Sequence, residues 1–332
     1  MKTKFSIIML VYNTKEEYLR FALESVFNQD YDNYEVIIID DGSDKKTKTI
    51  LNEYSNKSII KHQENKGMTA SRIEGLKLTT GDYVIFVDSD DYIVPDTLST
   101  YSSIINKYNS DIVMHDFVKF SNNIDNILSQ NNFFIEGEVN KDEVIKQLCM
   151  LHTNGTCGRA VKKELFYGIE NNIDAKLVAV GEDVQQSAYV LMKANSFYYT
   201  HKMIYYYRIV QEHREYNNIK RINDCNFLVP VYRIVFLNNN DYINLLPIFK
   251  TNAINSIVYN SFRICLWVKD KKERNQLLNE LNDLEIVKIV LNIKCKCSLT
   301  SSLLFHLLTR RKYFILNIIS NIYDLLFGMQ KI

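Results

Sequence analysis

The chain has 332 residues, of which 46% are hydrophobic, and carries 40 basic and 39 acidic side chains. A chain so close to neutral lacks the broad basic surface expected of a nucleic-acid-binding protein, and its hydrophobic share is sufficient for one large domain or two modest ones. With only 3 prolines and 10 glycines, long regular elements are expected rather than a loop-rich fold. The six scattered cysteines lack zinc-type spacing, which predicts reduced thiols.

The first part of the chain alternates strand-type and helix-type patterns. The apolar run at 5–11 is interpreted as a strand and not as a signal peptide, because it is short and lacks a small-residue cleavage site. Thr14 and Glu17 have capping-box spacing and mark the start of the first helix. The predicted order is strand 5–11, helix 14–28, strand 34–39, helix 47–54, strand 58–62, helix 69–78 and strand 83–87. This order favours a mostly parallel sheet with right-handed crossovers.

Beyond Pro95 the pattern changes. Helices are predicted at 96–108 and 141–151, a strand at 111–120, and an exposed loop over the Asn-rich residues 121–132. From residue 216 onward the periodicity is mainly helical.

Three strand ends are followed by polar residues. Asp88, Asp90 and Asp91 follow the apolar strand at 83–87, Asp40-Asp41-Gly42-Ser43 follows the strand at 34–39, and Tyr12-Asn13 follows the first strand. Clustered carboxylates repel one another unless a divalent cation lies between them and a phosphate. Turn-capping aspartates are the alternative, and the aspartates alone leave both open. In open α/β sheets, ligands bind beyond the carboxyl ends of the strands.

Together these motifs resemble the family-two glycosyltransferases of the GT-A fold. The matching segments are Ser6–Asn13, Leu23–Gln29, Val36–Ser43, Glu64–Gly67, Ala70–Arg72, Gly75-Leu76, Gly81–Tyr83 and Phe86–Asp91. The match covers residues 1–100, is weaker from Gly155 to Arg208, and is absent in the last third. The resemblance implies an α/β, GT-A-type, mostly parallel sheet flanked by helices. The implied glycosyltransferase domain is 1–215, with a nucleotide-binding half at 1–100 and an acceptor half at 101–215. A mainly helical region, 216–332, follows it.

The resemblance also implies roles for residues of the nucleotide-binding half. Tyr12 would stack on the base, Asp41 would accept a hydrogen bond from its ring N–H, and Arg72 would lie near the diphosphate. Taken singly, Tyr12 is better explained as a half-buried aromatic residue at a strand end and Arg72 as an exposed helix charge. Asp90 and Asp88 match the metal-binding acidic motif, with Asp91 able to share the role, and Mg²⁺ or Mn²⁺ is the implied cofactor.

On the acceptor side, the resemblance assigns Asp183 as catalytic base and Glu182 as a residue that orients the acceptor. A carboxylate that takes the acceptor proton permits one-step displacement with inversion, whereas a helix N-cap is the structural alternative. Arg208 would reach the diphosphate after loop closure. His213 is a weak candidate for a further metal or phosphate contact, because a lone histidine is more often structural or merely exposed. Gly155–Arg159 departs from the family, which has an aromatic residue and a lysine there, so the acceptor is not specified.

The leading hypothesis is therefore an inverting, metal-dependent hexosyltransferase. Its donor would be a UDP-sugar, and its acceptor a glycan or lipid-linked glycan of surface polysaccharide. The alternative is an inactive nucleotide-sugar-binding or scaffold protein of a glycan assembly complex. A nucleotidyltransferase would need a Gly-rich phosphate loop, which Tyr12–Lys15 does not supply.

The C-terminal segment, 299–332, has two apolar stretches around Arg310-Arg311-Lys312. Neither reaches the roughly 20 apolar residues of a membrane span. Asn317, Ser320, Asn321 and Asp324 fall on one helical face. The segment is explained by a helix in a membrane interface, by packing on the protein, or by a subunit contact. A cytoplasmic enzyme is the expectation, with peripheral attachment at the inner membrane face as one of these alternatives.

Overall fold

The computed structural model describes residues 2–121, 123–131, 133–152, 155–173, 182–209, 222–237, 241–295 and 299–327. Two compact units divide the chain. The first consists of residues 1–145, 153–178 and 189–211, and the second of 146–152, 179–188 and 212–332. The predicted boundary between residues 215 and 216 lies outside the described residues and stays a prediction.

Ten strands and twelve helices are found in the described ranges. The strands are β1 (Phe5–Val11), β2 (Tyr34–Asp40), β3 (Ile59–His62), β4 (Tyr83–Asp88), β5 (Tyr92–Ile93), β6 (Ile112–Ser121), β7 (Asn123–Asn131), β8 (Gly137–Val139), β9 (Ala160–Lys162) and β10 (Phe197–Arg208). The helices are α1 (Glu16–Phe27), α2 (Lys45–Asn52), α3 (Met68–Leu78), α4 (Thr97–Tyr108), α5 (Lys141–Cys149), α6 (Glu182–Lys193), α7 (Leu228–Tyr232), α8 (Leu246–Trp267), α9 (Lys271–Asn282), α10 (Glu285–Asn292), α11 (Leu299–Thr309) and α12 (Tyr313–Phe327).

The described strands form one sheet in the order β3-β2-β1-β4-β9-β6-β10-β5, with β7 beside β6 and β8 beside β10. The pairs β3–β2, β2–β1 and β1–β4 are parallel, as is β6–β10. The short strands β5, β8 and β9 join by antiparallel pairing. This is the predicted α/β arrangement of a sheet flanked by helices.

The core of the first unit follows from strands that are apolar along their whole length. In β1, Phe5, Ile7, Ile8 and Met9 are fully buried, as expected for a parallel strand covered on both faces. The amphipathic helix α1 contributes Leu19, Ala22, Leu23 and Val26 to the same core.

Two local predictions were wrong. Residues 123–131 form strand β7, which pairs antiparallel with β6, because pairing with an existing strand overrides the weak strand preference of asparagine. The first helix begins at Glu16 and has no side-chain cap. The hydroxyl of Thr14 instead lies 2.6 Å from that of Ser89, so a tertiary contact replaces the expected capping box.

The second unit is mainly helical, as predicted. Its longest helix, α8, has Pro247 in its first turn, where a missing N–H costs nothing, and α9 to α12 pack against it. Asp270 caps α9 by accepting a hydrogen bond from the Glu273 N–H at 2.7 Å. Among the described helices, none is long and apolar enough to cross a membrane.

Candidate functional site

The ends of β1, β2 and β4 lie side by side at one edge of the sheet. In the parallel register, Val11 is opposite Asp40 and Leu10 is opposite Asp88. The polar residues that follow these strands are therefore adjacent in space, as the sequence predicted from three strand ends.

The two aspartates after β2 are buried and hydrogen-bonded. Asp40 is fully buried; it accepts a hydrogen bond from the Ser43 N–H at 2.9 Å and lies 2.7 Å from Nδ1 of His62. Burial raises the pKa of Asp40, but these hydrogen bonds outweigh it and hold the pKa below its usual value.

Asp41 organises the loop that precedes α3. Its carboxylate accepts hydrogen bonds from the side chain of Gln63 at 2.7 Å and from the backbone N–H groups of Lys66 and Gly67, both at 2.9 Å. Gly42 adopts a φ of +84°, and a Cβ there would lie 2.7 Å from the backbone nitrogen of Asn65. The predicted hydrogen bond from a base to Asp41 stays a prediction.

Tyr12 and Arg72 occupy different environments around this edge. Tyr12 is 53% exposed and precedes Asn13, whose N–H donates to the Ser43 hydroxyl at 3.1 Å. Arg72 is buried, which excludes the exposed-charge alternative, and its guanidinium lies 6.0 Å from the ring centre of Phe86. An accessible aromatic ring and a buried cation are both present at the nucleotide-binding half.

Reciprocal hydrogen bonds join the end of β4 to the end of β10. The fully buried carboxylate of Asp91 accepts hydrogen bonds from the Tyr205 hydroxyl at 2.6 Å and from the Arg208 N–H at 2.8 Å. In return, Nε of Arg208 donates to the Asp90 carbonyl at 2.8 Å, and the Asp88 N–H donates to the Tyr205 oxygen at 3.1 Å. We call the following five residues the carboxylate clasp: Asp88, Asp90, Asp91, Tyr205 and Arg208.

The charged form of Asp91, the buried member of the clasp, is disfavoured by its surroundings. Burial raises the pKa of Asp91 well above its usual value, and the nearby carboxylates of Asp88 and Asp90 raise it further. The guanidinium of Arg208 lies 4.4 Å from the ring centre of Tyr18 and 4.5 Å from that of Phe120. Such aromatic contacts stabilise a buried cation, so Arg208 is fixed beside the acidic motif.

Asp88 and Asp90 fit the requirements of a hard divalent cation in donor type and access. Both side chains are half-buried rather than enclosed, and the inward-facing Asp91 has its oxygens engaged by Tyr205 and Arg208. No group of three or more metal-ligating side chains occurs in the parts of the chain that are described. Any cation held by Asp88 and Asp90 would therefore need further oxygen ligands, which a diphosphate supplies.

The segment that departs from the family pattern packs against the clasp. The Gly158 N–H donates to the Phe86 carbonyl at 2.8 Å, and Gly158 has a φ of +80°, with its Cβ position 2.4 Å from Nε2 of His115. Burial raises the pKa of the neighbouring Cys157 thiol, and the Asp88 charge adds to the effect. A side chain at position 158 would therefore collide with His115.

The two acceptor-side candidates lie in the second unit. Glu182 is the first residue of α6 and Asp183 the second, so Asp183 is in the first helical turn, and its side chain is half-buried. An anion is favourable there because of the helix dipole. The roles of Asp183 and Glu182 stay predictions, and His213 lies outside the described residues.

Sequence analysis did not identify several residues that form hydrogen bonds with the aspartates of the site. Tyr205 holds Asp91 and Asp88, and Gln63 and His62 hold the aspartates after β2. No pattern within Tyr205-Tyr206-Tyr207-Arg208 marks Tyr205 as a partner of Asp91, because the partner strand β5 has only two residues and gives almost no signal. The pairing of Tyr205 with Ile93 is what brings Arg208 to the acidic motif.

Comparison with known proteins identifies the family of this chain. Residues 6–169 match the model described as "Glycosyl transferase family 2", and the chain belongs to this family. It is 30% identical over 220 residues to "Glycosyltransferase GlyA" of Streptococcus pneumoniae, covering 62% of this chain and 30% of that protein. It is 45% identical over 94 residues to "Putative glycosyltransferase EpsH" of Bacillus subtilis, covering 27% of each.

A third relative is also similar in structure. Over 117 residues the chain is 36% identical to "Poly(ribitol-phosphate) beta-N-acetylglucosaminyltransferase TarS" of Staphylococcus aureus, covering 33% of this chain and 20% of that protein. The matched segments thus span less than a third of each of these three relatives. The crystal structure of S. aureus TarS 1-349 in complex with UDP has a TM-score of 0.71 and 21% identity, covering 97% of this chain and 91% of that chain. The complex with UDP-GlcNAc gives the same values, and the likeness shows the fold.

Proposed function

We propose that this chain is an inverting, metal-dependent glycosyltransferase that moves a hexosyl group from a UDP-sugar to a glycan or lipid-linked acceptor of surface polysaccharide. The carboxylate clasp supports this proposal best, because it fixes Arg208 beside two half-buried carboxylates at the edge where ligands of such sheets bind. We propose a uridine-type donor because structures of TarS were solved with UDP and with UDP-GlcNAc.

In the proposed reaction, the residues of the first unit hold the donor. Tyr12 stacks on the base, Asp41 accepts from its ring N–H, and Arg72 and Arg208 neutralise diphosphate charge. Asp90 and Asp88 would hold Mg²⁺ or Mn²⁺, which when bound offsets the negative charge that develops on the leaving UDP.

The proposed base is Asp183, with Glu182 orienting the acceptor. As the acceptor oxygen attacks the anomeric carbon, its O–H bond breaks and the proton passes to the Asp183 carboxylate. The bond between the anomeric carbon and the diphosphate oxygen breaks in the same step, so UDP leaves from the opposite face and the anomeric configuration inverts. A positioned base of this kind contributes about 10²–10⁴-fold to the rate.

The proposed site of action is the inner face of a membrane, where a lipid-linked acceptor is accessible to an enzyme that draws on cytoplasmic UDP-sugars. The alternative, a scaffold that binds nucleotide sugars without reacting, keeps the same donor-binding residues. The two differ in whether bound donor is consumed.

The test begins with a thermal-shift screen of UDP-sugars in the presence of Mn²⁺, since a ligand of the folded state raises the unfolding temperature. UDP release from the best donor is then measured for the parent, Asp183→Asn and Asp32→Asn. Asp32 has an 84% exposed side chain and serves as the control. We expect Asp183→Asn to bind donor like the parent but to release UDP about a hundredfold more slowly. Donor binding by the parent without UDP release, across a broad acceptor panel, would establish the scaffold alternative.

A further inference from the structure

The last described helix, α12, presents a row of apolar side chains on its outward face. Leu316 and Ser320 are fully buried, whereas Phe314 is 78%, Ile318 44% and Ile322 51% exposed. Phe314, Ile318 and Ile322 follow one another at intervals of four residues, and Ile315 lies beside them at 45% exposure. We call these four residues the α12 stripe. A helix on the surface of a water-soluble protein normally has the reverse arrangement.

Contacts with α8 establish this orientation. The ring of Tyr323 lies 5.6 Å from that of Phe262 on α8, and the Ser320 hydroxyl donates to the Asn317 carbonyl at 2.9 Å. Oδ1 of Asn317 is buried and has no hydrogen-bond partner among the described residues. Of the residues that the sequence placed on a polar face, Ser320 is thus buried, Asn317 is half-buried and Asn321 is exposed. Packing against α8 alone does not explain why the apolar residues of α12 are outside.

A cluster of charged side chains lies beside the α12 stripe. Between residues 299 and 323 the only charged side chains are Arg310, Arg311 and Lys312, and all three are exposed in the turn directly before α12. We call them the basic turn. Arg311 lies 3.6 Å from Asp283, but both are exposed, and such pairs contribute little. A partner that matches this surface has both apolar groups and negatively charged groups.

We propose that the α12 stripe and the basic turn form a membrane-docking surface that binds an anionic lipid bilayer, with α12 lying in its interface. The side chains of the stripe insert among the lipid acyl chains, and the lipid phosphates pair with the basic turn. A symmetric contact with a second copy is the competing arrangement, and the lipid-free oligomeric state distinguishes it. The surface is separate from the residues assigned to donor binding.

The experiment measures binding of the full chain, without donor, to vesicles of phosphatidylcholine with or without phosphatidylglycerol. In the stripe variant, Phe314→Asn, Ile318→Asn and Ile322→Asn are combined. Its control combines Leu237→Asn, Ile243→Asn and Leu291→Asn, which are 58–62% exposed elsewhere in the second unit. We expect the stripe variant to bind phosphatidylglycerol vesicles about tenfold or more weakly than the parent, and the control to bind like the parent.

Charge is tested by combining Arg310→Glu with Lys312→Glu, against Lys271→Glu with Lys272→Glu on α9, where both lysines are exposed. We expect about tenfold weaker binding for the first pair at low salt, a smaller difference at high salt, and little change for the second pair. Circular dichroism checks folding, and Phe314→Asn alone gives a milder variant with an expected loss of about threefold.

Three results would overturn the proposal. The first is a parent that does not bind phosphatidylglycerol vesicles. The second is a folded stripe variant that binds them as the parent does. The third is a lipid-free dimer, seen by light scattering, that the stripe variant abolishes, because the stripe would then be a contact between two copies.

Discussion

The sheet edge of the first unit and helix α12 of the second both contain buried polar groups, but these groups differ in the hydrogen bonds that they make. At the sheet edge, Asp40, Asp41 and Asp91 each accept at least two hydrogen bonds. On α12, Ser320 donates to a carbonyl of its own helix, and Oδ1 of Asn317 has no hydrogen-bond partner within the described part of the chain. Satisfied buried carboxylates fix a geometry, whereas the distinctive feature of α12 is its exposed apolar row of Phe314, Ile318 and Ile322.

A second contrast exists within the sheet edge itself. The inward carboxylates of Asp40, Asp41 and Asp91 hold backbone and side-chain donors, while Asp88 and Asp90 remain half-buried. We therefore expect loss of an inward carboxylate to reduce stability and loss of an outward one to reduce activity.

The largest expected effect is that of Asp90→Ala on sugar transfer. Because Asp90 is proposed to hold the cation that offsets charge on the leaving UDP, its loss should reduce UDP release by about a thousandfold. Thermal unfolding without ligand is measured in parallel, so that a loss of turnover in a stably folded variant can be assigned to cation binding. Donor turnover is assayed with added Mn²⁺, with Asp32→Ala as control. Full turnover by Asp90→Ala would contradict the assignment of this carboxylate.

The next effect is on stability. Asp40→Ala removes a buried carboxylate and leaves the Ser43 N–H without its acceptor, which should lower the free energy of unfolding by about 2–4 kcal/mol. Urea denaturation followed by circular dichroism measures this change. Asp32→Ala, at an exposed site, should alter it by less than about 0.5 kcal/mol. An equal loss in both variants would show that the buried hydrogen bonds of Asp40 are not important for folding.

A pH effect is expected from His115, which lies behind the clasp. Burial lowers the pKa of His115 from 6.5 to about 4, so the unfolded chain binds a proton more readily than the folded chain between these values. Stability should therefore fall as the pH is lowered from 6.5 towards 4, by about 1.4 kcal/mol for each pH unit from this group. The measurement is the difference in free energy of unfolding between the parent and His115→Asn across that range. A difference that does not vary with pH would mean that His115 is not buried in its neutral form.

The smallest expected effect is that of Ser320→Ala on α12. Its hydroxyl bonds a carbonyl of the same helix, so its removal should change the free energy of unfolding by less than about 0.5 kcal/mol. Chemical denaturation compares this variant with Ser261→Ala on α8, where a fully buried serine makes the same kind of bond, at 2.6 Å. A loss above about 2 kcal/mol for Ser320→Ala alone would show that the inward face of α12 is as well satisfied as the sheet edge.

The local chemistry of the donor half was predictable from sequence because it depends on neighbours in the chain. Apolar runs of strand length ending in Asp40-Asp41 and Asp88–Asp91, separated by helical patterns, specify parallel strands whose polar ends meet at one edge. The family assignment drew on the same short motifs. The Asn-rich strand β7 was not predictable, because its pairing partner β6, rather than its own composition, stabilises it.

Contacts between distant segments were decided by tertiary structure alone. The sequence placed Asp91 and Arg208 in separate motifs, 117 residues apart, and only the pairing of β10 with β5 joins them. Likewise, helical periodicity identified a polar and an apolar face on α12, but not which of them would pack on α8. Periodicity records how side chains alternate along one element, whereas the direction in which a face points depends on the surfaces that other elements present to it.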